Sequence, residues 1–498
     1  MAYSKTPAVQ TYETKRVNFI SNPQQRSNDA NKDFRLVNMM VEEIKSPVGD
    51  NKKYYVKSRP GMTQAYTTQT GEGRGIFYWS PNARAPYTYV ISVVGNKVYA
   101  TNITTNITLA IITLTTSTGH VGITEFLSTT NVSSLVLLDG VEGWVIATPF
   151  DIVSTETWSA TKITDPEFPT PHVPTPVYLD YYLFVAKAGT ADIYNSDLDN
   201  PSSWTAGNYI QAKMYPDTIK ALSKNNNFLY AVGTGSVEYF YDGANASGSP
   251  LTANPTAVQQ FGTAAYATVI QTDKEVLFVG ETNDGGHTVW TIDGFKENEI
   301  GIPTVKSALL AEGSNISNIR AFEARCSGQK LYVLCLTART FVYSLTTKMW
   351  SEWQSGSSVF RGNDASDGPA GSNYVLDATN GKIYLMNETY FTDNGTAFTC
   401  TVVSAKMDFD TINRKFMYRL SIIGDVPDDT GTDIAVSVSW SDDDYKTWST
   451  PRTLNFNSDL PAIQQLGQFR RRAIKLSYSL PHLFRIEMIE VDINKGNA

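Results

Sequence analysis

Alternating apolar and polar positions recur along most of the chain, and the recurring unit is a pair of short β-strands. One unit covers residues 89–99, where an apolar run leads into Gly95 and Asn96 and a second run follows. Similar units cover residues 228–240 and 276–290. Because the unit returns roughly every 45–50 residues and contains strands without helices, it is typical of a β-propeller, in which one repeat forms one blade.

Seven such modules follow one another, and turn residues separate their strands. Their centres lie near Val93, Leu137, Leu183, Tyr230, Phe278, Val333 and Tyr384. Six or seven blades both fit this pattern, because one module could complete the ring with a strand from the N-terminal segment. The chain is therefore predicted to be all-β, with a propeller over residues 63–397.

Two segments interrupt the strand pattern. Residues 166–176 contain five prolines, and a central strand cannot tolerate them because proline has no amide donor. Residues 244–258 are rich in small side chains. Both segments are predicted to be loops, and the best helix candidate, residues 305–312, is short.

The two ends of the chain differ from the repeats. Residues 1–62 are polar and irregular apart from an apolar stretch at 35–42 and a turn at Arg59-Pro60-Gly61. They are predicted to form an extended N-terminal arm that packs on the propeller or on a neighbouring subunit, and a flexible leader is the alternative. After residue 398 the chain changes to longer alternating strands joined by hairpins. Residues 398–498 are therefore predicted to form a β-sandwich.

Composition narrows the possible functions. The chain has 498 residues, 41 Lys and Arg against 49 Asp and Glu, and a net charge of −8. This balance argues against a protein that coats nucleic acid, although an acidic wall would let DNA pass without binding it. The chain has three cysteines, Cys326, Cys335 and Cys400, and their number and spacing indicate reduced thiols and folding in the cytoplasm. Neither a signal peptide nor a membrane-spanning apolar run is expected.

One hairpin resembles the Asp-box of sialidase-like propellers, whose pattern is S-x-D-x-G-x-T-W. Ser441, Asp443, Thr447 and Trp448 match the pattern, whereas Tyr445 stands in place of the glycine. In that motif the aspartate bonds turn amides and the tryptophan packs beneath the hairpin, so a structural turn is the main prediction. The adjacent carboxylates Asp442, Asp443 and Asp444 are weaker candidates for a Ca²⁺ site, because they lack the remaining oxygen ligands.

The sequence favours no enzyme. The four histidines are far apart, and no zinc-protease, nucleophile-elbow or phosphate-loop motif occurs. No pair of acidic residues is singled out as a glycosidase pair. No catalytic residue and no cofactor are therefore predicted.

A short basic cluster, Arg470-Arg471-Arg472, follows Phe469. In a strand, Arg470 and Arg472 would share one face and Arg471 would point the other way. Contact with another subunit and a solvated strand edge both fit, and contact with DNA fits less well.

Four stretches together resemble the packaged-DNA stabilisation proteins of short-tailed bacteriophages, which are tail accessory or nozzle proteins. The first lies in the N-terminal segment, at residues 34–40, 58–62 and 73–76. The others are residues 234–240, residues 339–344 with Met349 and Trp350, and residues 466–472. Together these stretches span most of the chain, and their order matches that of the family.

The resemblance implies a structural virion protein of the phage tail that is assembled in the host cytoplasm. It implies a homohexameric ring below the portal and adaptor, with propellers outside and a channel at the axis that retains packaged double-stranded DNA and then passes it during ejection. A tail needle or plug would lie below, and tailspikes or fibres at the flank. Aromatic loop residues such as Trp350 and Trp353 are candidates for subunit contacts.

Two other functions remain open from the sequence. A glycan-binding or glycoside-processing propeller of sialidase-like type would explain the Asp-box-like hairpin and the aromatic content. An intracellular scaffold propeller would be monomeric and would lack the order of arm, Arg-Pro-Gly turn and propeller.

Overall fold

The computed structural model describes residues 12–19, 34–45, 52–81, 87–148, 157–281, 285–425 and 434–496. Regular structure in these ranges is nearly all β, with one helix, α1 (Pro303–Glu312), and short 3-10 turns at Tyr266–Thr268, Gly313–Asn318 and Pro369–Gly371. The described residues form two compact units. Those before residue 61, those of 346–357 and those after 390 form the first unit, and the remainder form the second.

The strands from the N-terminus to the end of the fifth sheet of the second unit are β1 (Glu13–Asn18), β2 (Arg35–Val37), β3 (Met39–Lys45), β4 (Lys52–Ser58), β5 (Gly61–Thr67), β6 (Gly73–Trp79), β7 (Tyr89–Val94), β8 (Lys97–Asn102), β9 (Ile107–Thr113), β10 (Gly122–Leu127), β11 (Ser133–Leu138), β12 (Gly143–Ala147), β13 (Ser159–Lys162), β14 (Val177–Leu179), β15 (Tyr182–Ala186), β16 (Asp192–Asn195), β17 (Tyr209–Gln211), β18 (Ile219–Asn225), β19 (Phe228–Gly233), β20 (Val237–Asp242), β21 (Leu251–Gln259), β22 (Ile270–Gln271), β23 (Glu275–Glu281), β24 (His287–Asp293) and β25 (Lys296–Glu299).

The remaining strands are β26 (Arg320–Cys326), β27 (Gln329–Cys335), β28 (Thr340–Ser344), β29 (Trp350–Ser355), β30 (Ser358–Val359), β31 (Gly362–Asp367), β32 (Asn373–Asp377), β33 (Lys382–Asn387), β34 (Thr392–Asp393), β35 (Thr396–Ala397), β36 (Cys400–Val403), β37 (Lys415–Asp425), β38 (Ala435–Ser441), β39 (Arg452–Asn455), β40 (Ala462–Gln464), β41 (Gln468–Phe469), β42 (Ala473–Tyr478) and β43 (Arg485–Lys495).

The second unit is a β-propeller. Its successive antiparallel sheets begin at β6, β10, β14, β18, β22, β26 and β31, which gives seven sheets within the described part of the chain. Each first strand contacts the first strand of the next sheet, and β31 contacts β6, so the inner strands close a ring. All seven module centres predicted from the sequence lie on strands of these sheets. The propeller prediction is confirmed.

The ring is closed by a strand from the N-terminal side of the propeller. Strand β5 is the fourth strand of the last sheet and pairs antiparallel with β33, with Thr63 opposite Leu385 and Met62 opposite Met386. This pairing joins the two ends of the propeller through backbone hydrogen bonds. The sequence analysis allowed for a strand from the N-terminal segment that completes the ring. Strand β5 is that strand, and it belongs to the seventh sheet.

Packing between neighbouring sheets explains why the middle strands read as continuous apolar runs. Every residue of β7 is buried. Ile91 and Val93 share a core with Leu135 of the next sheet, whereas Val90 and Val94 on the opposite face share a core with Leu376 of the last sheet. A strand that is covered on both faces needs apolar side chains at odd and even positions alike, so the alternation of apolar and polar residues is lost.

The two predicted loops behave differently. Residues 166–176 contain no strand beyond an isolated bridge at His172, as their prolines require. Residues 251–259, in contrast, form β21, the outermost strand of its sheet. The pairing with β20 is irregular between Glu238 and Phe240, and Pro255 lies within that irregular stretch. An edge strand with a bulge tolerates a proline that a central strand would reject.

The first unit contains two sheets around one core. One sheet has the order β3-β4-β43-β37-β40, with β1 also on β43 and β41 also on β37, and the other includes β2, β36, β42, β38 and β39. Leu36, Met39 and Val56 are buried in the same core as Val436 and Leu476. Strands on both sides of this core bury one face each, which is the arrangement of a β-sandwich.

The N-terminal segment is therefore part of the sandwich in the residues that the structure describes. Strand β1 pairs along its whole length with β43, from Glu13 opposite Ile493 to Asn18 opposite Met488. Strand β2 pairs with β36. The sequence suggested an extended arm because strand pairing between distant residues leaves no local signal. The domain boundaries at residues 62 and 397 stay predictions.

Candidate interaction surfaces

The Arg-Pro-Gly turn holds a buried arginine within the first unit. Arg59 is fully buried, and its guanidinium donates to both carboxylate oxygens of Asp393, at 3.0 and 2.6 Å. It also donates to Asn38 Oδ1 at 3.0 Å and to the carbonyl of Gln354 at 3.0 Å, and it lies 4.0 Å from the ring centre of Phe398. A buried arginine that is this fully bonded has a structural role.

Asn38, from the first of the four motif stretches, is the second member of this cluster. Its φ is 54°, which asparagine adopts more readily than most residues. Its amide donates to the carbonyl of Glu352 at 2.7 Å, its side chain donates to the carbonyl of Thr399 at 2.9 Å, and Oδ1 accepts from the amide of Gln354 at 2.8 Å. The motif residues Asn38 and Arg59 therefore join three separate segments of the first unit.

Residues 73–76 organise one end of the propeller in a similar way. Arg74 is fully buried and donates to the carbonyls of Gly95, Thr116 and Gly119 at 2.7–3.0 Å. A Cβ on Gly75 would lie 2.6 Å from the carbonyl oxygen of Val121. Glycine is needed there because two backbones approach closely.

Residues 234–240 fasten the connection between the third and fourth sheets. Glu238 is buried, and its Oε1 accepts from the amides of Met214 at 2.9 Å and Tyr215 at 3.1 Å. Asp217 accepts from the amide of Gly235 at 2.8 Å. Burial raises the pKa of Glu238. The glutamate of this motif thus holds a loop whose Met214 and Tyr215 side chains are exposed.

The two tryptophans proposed as subunit contacts are not at the surface. Trp350 is 1% exposed and Trp353 is fully buried. A side chain in the interior offers no surface to another subunit, so a direct contact role for these two residues has no support from their position. The sequence suggested an aromatic-bearing loop here, whereas both residues lie on strand β29.

The three arginines of the basic cluster do not alternate as strand residues would. Strand β41 ends at Phe469 and the chain bends through Arg470 and Arg471, both of which are exposed. Arg472 is 1% exposed and donates to both oxygens of Asp442 at 2.8 Å and to the carbonyl of Leu466 at 2.9 Å. Arg472 therefore stabilises the interior, and Arg470 and Arg471 remain available as candidates for a subunit contact.

The Asp-box-like hairpin joins β38 to β39 in the first unit. Asp443 Oδ1 accepts from the hydroxyl of Ser441 and the amide of Thr447, both at 2.9 Å, and Oδ2 accepts from the Thr447 hydroxyl at 2.5 Å. These hydrogen bonds, the Thr447 hydroxyl first, lower the pKa of Asp443 to about 2. Tyr445 has a φ of 64°, the conformation for which the motif normally uses glycine.

The three adjacent carboxylates point to three different partners. Asp442 binds Arg472, Asp443 closes the turn, and Asp444 pairs with Lys406. Across the described ranges, no three His, Cys, Asp or Glu side chains gather in a way that could hold a metal ion. The hydrogen bonds of Ser441, Asp443 and Thr447 are those of a structural turn.

One face of the propeller presents exposed apolar side chains from several sheets. In the second, third and fifth sheets, whose four strands are consecutive, the connections from first to second strand and from third to fourth strand lie at the same end. Val132, Tyr181, Leu198 and Phe295 occupy such connections and are 38–56% exposed. The sequence analysis did not identify these four residues, because a single apolar residue in a polar loop produces no periodic pattern.

This face is braced between neighbouring sheets. Asp199 accepts from both the amide and the hydroxyl of Thr129 at 2.7 Å, which connects a turn of the second sheet to a loop of the third. The amide of Asp199 donates to the carbonyl of Tyr181 at 3.0 Å. Apolar side chains on a braced surface lose little freedom when a partner binds, which favours association.

Charged side chains lie at the inner strands of the propeller. Arg320 pairs with Glu72 and donates to the carbonyl of Gly73 at 2.8 Å. Burial raises the pKa of Asp364 to about 7, and burial together with Arg320 and Arg74 lowers the pKa of His120 to about 3. At pH 7 His120 is therefore neutral, Arg320 is paired with Glu72, and Asp364 still holds part of its proton.

The described residues contain no helix of the length and hydropathy that a membrane crossing requires.

The search of curated proteins gave no match to this chain. Among solved structures, a streptogramin B lyase is 11% identical, with a TM-score of 0.37, and the alignment covers 70% of this chain and 98% of the lyase. The β-propeller domain of Cps50 (Swd1) from Myceliophteria thermophila is 10% identical, with a TM-score of 0.40, covering 65% of this chain and 98% of the domain.

The comparison that identifies the chain is with a protein family. The family described as "Bacteriophage P22 Gp10, beta-propeller" matches residues 22–391, which is more than half of the chain. The match begins in the N-terminal segment and continues through the last sheet of the propeller. The chain therefore belongs to the phage P22 Gp10 β-propeller family, as the four motif stretches indicated.

Proposed function

We propose that this protein is a structural component of a phage tail in which several copies, by the resemblance six, form a nozzle below the portal and adaptor. The nozzle retains packaged DNA and provides the channel for its ejection. Membership of the phage Gp10 family over residues 22–391 is the observation that carries this proposal. That family is structural, which agrees with the prediction that the chain is not an enzyme.

The architecture suits a load-bearing ring. Strand β5 closes the propeller through backbone hydrogen bonds, and Arg59 with Asp393 fastens the N-terminal strands inside the first unit. In a closed propeller the inner strands form a continuous ring, and only the outer strand of each sheet is an edge. The braced face with Val132, Tyr181 and Leu198 is the candidate surface for contact with a neighbouring copy.

The charge balance supports the passage of DNA. The chain carries a net charge of −8, and a ring of such chains would repel phosphate rather than hold it. The adaptor above, a needle or plug below, and tailspikes or fibres at the flank complete the proposed set of partners. The protein would then be a virion component that is assembled in the host cytoplasm.

Cryo-electron microscopy of the native particle tests the proposal. We expect a ring of copies of this chain at the tail, with propellers outside and an axial channel. Particles produced without the protein should lose their DNA after packaging. A mature particle that contains no copy of the chain, or that retains its DNA equally well without it, would refute the proposal.

The glycan-binding alternative draws no support from the hairpin that suggested it. Asp443 is used within the turn, Tyr445 is buried, and the ammonium of Lys475 lies 4.6 Å from the centre of the Trp448 ring. A ring face that is already covered by a lysine is not available to stack on a sugar.

A further inference from the structure

A groove lies on the outer face of one sandwich sheet, away from the core. Along β2, β36 and β42, Leu36, Val402 and Leu476 are buried in the core. Their neighbours in the chain point to the opposite face, where Arg35 is opposite Val403 and Val403 is opposite Lys475. The groove has a volume of about 420 Å³.

The Asp-box-like hairpin forms one wall of this groove. Tyr445, Lys446 and Trp448 line it, and Tyr445 and Trp448 share a small apolar cluster with Val403. The Tyr445 hydroxyl donates to the carbonyl of Ser404 at 3.0 Å, which fixes the hairpin to the sheet. The turn held by Asp443 thus sets the position of Lys446 above the sheet.

The groove contains more positive than negative charge. Three cationic residues line it, and one of them, Arg35, binds Glu352 through two hydrogen bonds of 2.9 and 2.8 Å. Within the described ranges, neither Lys446 nor Lys475 forms a salt bridge. Lys475 is half-buried, and burial lowers its pKa. A half-buried ammonium without an anion leaves a favourable position for a carboxylate.

The shape and surroundings of the groove favour an acidic protein segment over DNA or a sugar. A volume of this size accommodates a few side chains, whereas a duplex would need a longer basic surface. Tyr445 is buried and the Lys475 ammonium covers one face of the Trp448 ring, which reduces the aromatic surface on which a base or a sugar could stack.

We propose that this groove is a docking site for an acidic segment of a partner protein, with Lys446 and Lys475 binding its carboxylates. Thr401 and Ser477 on the same face supply further hydrogen-bond donors. This site goes beyond the proposed nozzle function and does not depend on ring formation.

Calorimetry with the full-length protein tests the site. The probe is a short glutamate peptide with blocked ends, and a glutamine peptide of equal length is the control ligand. We expect binding of the glutamate peptide, and a loss of about tenfold in affinity in each of Lys475→Gln and Lys446→Gln, because each removes a charge-assisted hydrogen bond. Lys296→Gln, at an exposed lysine of the propeller, should bind like the unaltered protein.

Separate titrations with inorganic phosphate, a short DNA duplex and a sialic acid distinguish the source of the anion. The proposal is overturned if the glutamate peptide fails to bind, if Lys446→Gln leaves its affinity unchanged, or if phosphate, DNA or sialic acid binds more tightly than the peptide. Lys446 is exposed, so its substitution tests the site without risk to folding. Failure here would leave the nozzle proposal intact, because that proposal is tested on the particle.

Discussion

Arg59 and Asp393 form a two-pronged ion pair in which both side chains are almost completely excluded from solvent. Their relative side-chain exposures are 0% and 6%. The arginine comes from the N-terminal segment and the aspartate from the start of the C-terminal one, 334 positions later. The pair therefore joins the N-terminal segment to the segment after residue 390 inside the first unit.

Removal of the aspartate charge should weaken this unit severely. Asp393→Asn leaves the Arg59 guanidinium buried without its counter-charge, which costs about 3–5 kcal/mol. We expect a clear fall in the midpoint of urea unfolding followed by circular dichroism. Arg16→Gln is the matched control, because Arg16 is 68% exposed and its pair with Glu490 should contribute less than about 1 kcal/mol. Equal effects of the two substitutions would contradict the structural role of Arg59.

The Asp-box-like turn should respond to acid at a lower pH than ordinary aspartates. The pKa of Asp443 is lowered from its ordinary 3.8 to about 2, chiefly by the Thr447 hydroxyl. A depressed pKa means that the contribution to stability is present above the ordinary value and is lost as the pH falls towards 2. The amide resonance of Thr447 should titrate with a midpoint near that value. In Asp443→Asn this titration should disappear. A midpoint near 4 in the unaltered protein would show that the pKa of Asp443 is not lowered.

The contribution of Asp364 to the stability of the propeller should have the opposite pH dependence. Burial raises its pKa from 3.8 to about 7. Because the folded state holds this proton more tightly, the contribution is complete below about pH 4 and is lost as the pH rises to about 7. The advantage in thermal midpoint of the unaltered protein over Asp364→Asn should therefore shrink between about pH 4 and 7. Asp273→Asn, at a 74% exposed side chain, should show no such trend.

Glu238 should control the mobility of the loop that it holds. Glu238→Ala removes the acceptor for the amides of Met214 and Tyr215, and each lost buried hydrogen bond costs about 1–3 kcal/mol. Hydrogen exchange measured by mass spectrometry should become faster in the peptide that contains these residues. Glu297→Ala, at an exposed position of β25, should leave the exchange of that peptide unchanged.

The braced apolar face makes a prediction about assembly. Leu198 is 56% exposed on that face, and Leu310 is 71% exposed on α1, at the opposite end of the propeller sheets. If the braced face contacts a neighbouring copy, Leu198→Asp should reduce ring formation measured by mass photometry, because a buried unpaired charge opposes association. Leu310→Asp should assemble normally, and the reverse result would place the contact at the other end.

The propeller could be predicted because its signal is repeated. The centres at Val93, Leu137 and Tyr230 are apolar strands between turns, and each later module independently supports the same architecture. The structural turn at Ser441, Asp443 and Thr447 could be proposed because its residues form a short local motif. In these places the residues that matter lie close together in the chain.

The sequence by itself determined that this chain is all-β, contains a propeller and shares the motifs of a phage family, because strand periodicity, turn residues and net charge are local or additive properties. Only the tertiary structure decided that β1 pairs with β43, that β5 closes the ring, that Trp350 and Arg472 are interior, and that Arg35, Lys446 and Lys475 line one groove. Those relationships join residues that are distant in the chain. They depend on which faces are buried together, and a one-dimensional pattern does not contain that information.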